Sequence, residues 1–168
     1  VNEMLDRTLL KYLLPGNLDE NLYQLGIYGA NYKLAMLMTL FIQAFRYASE
    51  PFFFAQADKA GAKQLYAKVL NYFTIFGSGV FLVVTLFIDY FKWFIPNEEY
   101  HVGLTVVPIL LMANLFLGLY VNLSIWYKLS DHTKLGAWVA IAGAAVTVVL
   151  NVVFIPIYGY TASAWATL

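Results

Sequence analysis

Gln43, Arg46 and Glu50 stand at i, i+3 and i+7 in the run FIQAFRYASEPFFF, which places an amide, a guanidinium and a carboxylate on one face of a helix. A planar guanidinium grips phosphate oxygens bidentately, and a carboxylate one turn on orients it, so the face suits a polar cavity that receives an anion. The same residues suit an anchoring pair, with Arg46 snorkelling to the headgroup level and Glu50 holding it there. Both readings stay open at this stage, because the depth of Glu50 and Pro51 decides between them. Lys33 lies about two turns inside the other end of the same stretch, roughly a quarter turn from the Gln43 face at 100° per residue. Its long stem fits either a cavity or snorkelling. Asp6 and Arg7 near the start either pair with another segment or face a water-filled cavity. Asn114, Gly118 and Asn122 recur at i, i+4 and i+8, a stripe for helix packing or for a cavity wall. Gly77-Ser78-Gly79 and Gly143-Ala144-Ala145 are expected to be close-packing sites.

Other chemistry has little to stand on. The chain has no cysteine, which excludes disulfides and thiolate metal sites. It has no Gly-rich phosphate loop, Cys/His cluster or Ser/His/Asp arrangement, and His101 and His132 fall in loops predicted on opposite sides of a membrane. Neither catalysis nor a cofactor is expected. Ten basic residues balance ten acidic ones, which predicts no nucleic-acid partner.

The elements that must position these residues are membrane helices. Of 168 residues 61% are hydrophobic and 12% charged, against a charged share of about 25% in soluble domains. The mean hydropathy of +0.67 comes from long apolar stretches, and stretches of roughly 18 or more such residues are what a bilayer core requires. The reading is all-α and polytopic: a partial helix over 1–14, spans over about 25–48, 66–95, 103–127 and 135–155, and a partial helix over 159–168. Pro108 predicts a kink near the start of the third span. Both ends read as cuts through helices, so a fragment of a longer chain is expected.

Loop charge supplies an orientation. Asp19 and Glu20 mark the first loop and Glu98 and Glu99 the third, whereas Lys59, Lys63 and Lys68 (with Asp58) mark the second, and Lys128 and Lys134 bracket the fourth. By the positive-inside rule the second and fourth loops are cytoplasmic. Tyr23, Tyr28, Tyr47, Tyr66, Tyr72, Tyr90, Trp93, Tyr100, Trp126, Tyr127 and Tyr158 fall near span ends, as an interfacial belt requires; stacking against sugars is the competing reading.

Several local patterns together resemble one family. LDRTLLKYLL, a short acidic loop and LGIYGANYKLA look like the opening of the second half of the oligosaccharide flippases of the MOP, or MATE-like, superfamily. QAFRYASEPFFFAQA resembles the end of their next helix, especially in Bacteroidetes-type lipopolysaccharide (O-antigen) biosynthesis proteins. NVVFIPIYGYTASAWATL is similar to the family's pattern at Asn151, Ile155, Pro156, Gly159, Ala162, Ala164, Ala166 and Thr167, with Ser163 where Gly or Ala is common. The resemblance covers essentially the whole chain. It implies part of the C-terminal six-helix lobe, completed by a missing N-terminal lobe of the same chain, in the bacterial inner membrane. It further implies alternating access that moves a polyprenyl-pyrophosphate-linked oligosaccharide across the bilayer, with Arg7, Lys33 and Arg46 as the cavity cations. The rival expectations are an ion-coupled multidrug exporter of the same fold, for which Asp6 is the acidic candidate, an integral-membrane glycan ligase or transferase, and a purely structural membrane subunit.

Overall fold

The computed structural model describes residues 2–57, 59, 61–129 and 133–168. Asp58 and His132, which enter the loop readings, lie outside these residues, as do the side chains of Trp126 and Tyr127. The described residues are all-helical: α1 (Asn2–Leu13), α2 (Leu18–Gln56), α3 (Ala62–Leu86), α4 (Ile88–Phe91), 3-10 segments Lys92–Phe94 and Glu98–Val106, α5 (Val107–Leu129), α6 (Thr133–Tyr158) and α7 (Tyr160–Thr167). Four helical stretches are long and apolar enough to cross a membrane, Leu18–Gln56, Ala62–Leu86, Glu98–Ile125 and Lys134–Tyr158, so this is a multi-pass membrane protein.

The helix ends follow local chemistry. Pro15-Gly16 closes α1, extended Asn17 opens α2, and Asp19 and Glu20 in the first turn of α2 complement its dipole. Gly61 and Gly159 have φ of 90° and 64°, which a side chain would strain, and they break the chain before α3 and between α6 and α7. The Asn97 side chain accepts from the Glu99 amide at 3.1 Å and starts the second 3-10 segment. Pro108 sits at the second residue of α5, where its missing N–H costs no helix bond. The sequence predicts a kink inside a continuous span here; the structure has a change from 3-10 to α geometry instead.

α2 is the central strut. It runs antiparallel to α3, with Phe41 and Phe45 on Phe73 (ring centroids 5.4 and 4.7 Å) and Tyr66 bonded to the Phe53 carbonyl. It runs parallel to α5, with Asn114 donating to the Ala35 carbonyl at 3.4 Å and Lys128 meeting Glu50. Two glycines let these helices close in. A Cβ on Gly118 would lie 2.5 Å from Phe73, and one on Gly77 2.5 Å from Leu115. Gly79 and Gly143 depart from the expectation of close packing, since a Cβ there meets nothing within 4 Å.

The turns collect at two ends. Asn21 donates to the Leu14 carbonyl, Asn31 donates to the Tyr100 carbonyl at 2.7 Å, and Gln24 lies beside Gly159, which gathers the α1–α2, α4–α5 and α6–α7 connections at one end. That end carries Asp19, Glu20, Glu98 and Glu99, together with Lys11 and a Lys92–Asp89 pair. Lys59, Lys63, Lys68, Lys128 and Lys134 belong to the other. Tyr47, Tyr72, Tyr90, Trp93 and Tyr158 are exposed, as interfacial anchors are. Tyr28 departs from the belt reading: it is 0% exposed, inside the bundle.

Candidate functional site

A polar cluster lies where α1, α2, α6 and α7 meet. α1 contributes Asp6 and α6 contributes Asn151, both 0% exposed. After the Gly159 break, α7 presents Ser163 and Thr167 one turn apart on a single face. α2 adds Tyr28. Asn151 donates to Asp6 Oδ1 at 3.2 Å, Thr167 Oγ1 donates to Asp6 Oδ2 at 2.7 Å, and the Tyr28 hydroxyl reaches Oδ2 at 3.5 Å.

A threonine hydroxyl carries one proton, yet Thr167 Oγ1 lies 2.7 Å from the Asp6 carboxylate and 2.8 Å from the Ser163 carbonyl. One proton therefore serves two acceptors. Asn151 directs its amide hydrogens to Asp6 and to the Thr147 carbonyl at 3.0 Å, which leaves its buried Oδ1 without a partner. The Ser163 hydroxyl is also buried in the cluster, near Tyr28. A fully buried carboxylate gathered with hydroxyl and amide groups from α2, α6 and α7 has the oxygen-rich composition of a site for a proton or a hard monovalent cation. A divalent site needs more charge: among the described residues no group of three or more His, Cys, Asp or Glu side chains could hold a metal.

The other sequence candidates lie elsewhere. Arg7 turns its guanidinium over the Tyr32 ring, 5.8 Å from the centroid. Arg46 and Glu50 are joined at 3.4 Å, near the end of the bundle opposite the acidic turns. Glu50 is also held by Lys128 of α5 at 2.6 Å, so two cations share one carboxylate. Gln43 is exposed on α2, one turn before Arg46. Asn114 and Asn122 donate to backbone carbonyls, those of Ala35 and Gly118, and act as packing residues between and within helices. Lys33 is exposed in a stripe with Leu37, Leu40 and Tyr47, away from the Arg46 face.

Sequence reasoning took Lys128 for a loop marker and Tyr28 for an interfacial ring. Two signals of the buried cluster are legible in the sequence: Asp6, already the acidic candidate, and Asn151, the single amide in the apolar run VTVVLNVVFIP. No family model, curated protein or solved structure matches this chain.

Proposed function

We propose that the chain is part of a membrane transport lobe working by alternating access, with Asp6 as the group that binds a coupling proton or monovalent cation. The observation that carries this reading is the full burial of a carboxylate among hydroxyl and amide groups drawn from other helices. Such a group inside a bilayer is costly, and ion pathways are where membrane proteins retain it. Asp6, Asn151, Ser163 and Thr167 come from three helices, so occupancy of the cluster favours one mutual arrangement of α1, α6 and α7. A ligand shifts an equilibrium between arrangements only by its difference in affinity for them, which a site shared by several helices supplies.

The proposed cargo is a lipid-linked oligosaccharide, moved between the leaflets of a bacterial inner membrane. This part rests on the sequence resemblance and on the cations at the Arg46 end, where Arg46 and Lys128 outnumber Glu50 and leave positive charge for a phosphate. Export of the glycan by cells carrying the full-length protein tests it. Arg46→Lys should impair export at normal protein abundance, because Lys acts only as a point charge, and Arg46→Ala should impair it more. Wild-type export by Arg46→Ala removes Arg46 from the cargo site. A second reading, an ion-coupled multidrug exporter of the same fold, is favoured by Asp6 itself. Drug efflux that depends on Asp6, with intact glycan export in its absence, selects that reading.

A further inference from the structure

A groove of about 690 Å³ runs between α2 and α3, lined by Leu37, Ile75, Phe76, Gly79, Val80, Val83 and Phe91. It is apolar along its whole length, and Ile75 to Val83 on α3 covers about 12 Å at 1.5 Å per residue. Gly79 lines it, and a Cβ there would meet nothing within 4 Å.

One cation stands at its mouth. Lys33 precedes Leu37 by one helical turn on the same face of α2. The antiparallel register fixes its level. Moving outward by the same number of residues from the Phe45–Phe73 contact brings α2 to Lys33 and α3 to Thr85, in the last turn of α3. Exposed Phe87, Tyr90, Trp93 and Phe94 follow immediately, which marks this level as the membrane interface. Lys33 has no ion-pair or hydrogen-bond partner among the described residues, whereas nearby Lys92 is taken up by Asp89 at 3.1 Å. Glu98 and Glu99 belong to the segment that packs on the far side of α2 through Asn31.

We propose that this groove seats one acyl chain of an anionic phospholipid, with the lipid phosphate on Lys33. An interfacial ammonium, one turn from an apolar channel that runs toward the bilayer midplane, matches the two chemical halves of such a lipid in the correct order. The site is separate from the Asp6 cluster and from the Arg46 end, and it does not depend on the cargo.

Native mass spectrometry of the detergent-purified full-length protein, titrated with phosphatidylglycerol and with phosphatidylcholine of the same chain length, tests this. Wild type should retain one phosphatidylglycerol about fivefold more tightly than phosphatidylcholine, the worth of one lysine at a charged headgroup. Lys33→Gln should abolish the preference, and Lys92→Gln should leave it. Gly79→Leu should fill the groove and weaken both lipids; Val83→Phe, a change at an exposed position, narrows the same groove by a second route should Gly79→Leu misfold. Competition by glycerol phosphate alone would mean an anion site without a chain and overturn the proposal. A preference that survives Lys33→Gln, retention unchanged by both groove variants, or a photocrosslink from position 79 to polypeptide in place of lipid overturns it too.

Discussion

Asp6→Asn separates ion binding from folding. The substituted amide keeps a carbonyl oxygen to accept from Asn151, and its NH2 donates to Thr167 Oγ1, which then gives its single proton to the Ser163 carbonyl at 2.8 Å. The loss of charge-assisted bonds is offset by the removal of a buried charge, so the variant should unfold within about 1 kcal/mol of wild type. The difference lies in linkage. A ligand at one hundred times its Kd stabilises by about 2.7 kcal/mol, which raises Tm by about 2–4 °C per kcal/mol in a chain of about 150–250 residues and by less, a few degrees in all, in the longer full-length protein. The assay is thermal unfolding of the purified full-length protein against Na+, Li+ and K+ at constant ionic strength, repeated against pH with the proton as ligand. Wild type should show the rise with one of these ligands, and Asp6→Asn should show a flat line at similar baseline stability. Wild-type unfolding indifferent to every cation and to pH, or an Asp6→Asn curve parallel to wild type, would refute the assignment.

Gly118→Ala should destabilise by about 1–3 kcal/mol, because its Cβ would meet Phe73 at 2.5 Å and Ile42 at 3.0 Å, whereas Gly143→Ala in open space should be neutral or stabilise by up to about 1 kcal/mol; thermal unfolding compares the two. A double-mutant cycle on Glu50→Gln and Lys128→Gln should give a coupling of only about 0.5–1 kcal/mol that shrinks with salt, since both side chains are about a third exposed. A cycle near 3 kcal/mol would mean that the pair is buried in the complete protein. Cysteines at 63 and 134 should resist an impermeant maleimide in intact cells while those at 20 and 98 react, as the lysine bias of the second and fourth loops requires. These 168 residues contain no cysteine, so a cysteine background free of labelling sites within them is already in place.

The helical class was legible because a membrane span is written in one dimension, as a run of apolar residues. What was not legible depends on which helices meet. Nothing local marks Lys128 as a partner of Glu50, for the two are far apart in sequence and join only because α5 packs parallel to α2. Tyr28 reads as an interfacial ring by its place in the span; it is buried because α1 covers it. Asp6 announces itself as an expensive residue, but its meaning comes from Asn151 and Thr167, at the other end of the chain. The glycines divide on the same ground: Gly77 and Gly79 share one tripeptide, and only Gly77 faces a neighbouring helix.

α2 is also a lever. Its 39 residues amount to about 58 Å of rod, roughly twice the hydrocarbon thickness, and its single internal proline, Pro51, comes after Glu50. Tyr28, in contact with Asp6, and Glu50 therefore ride on one unbroken arm about 33 Å apart. A tilt of about 10° pivoting at Tyr28 sweeps the Glu50 end by about 6 Å over that arm, so a small repacking around Asp6 becomes a large displacement beside Arg46. Spin-label distances from position 47 to position 72, measured with and without the coupling ion, would read that amplification directly; an unchanged distance would mean that the arm stays fixed when the ion binds.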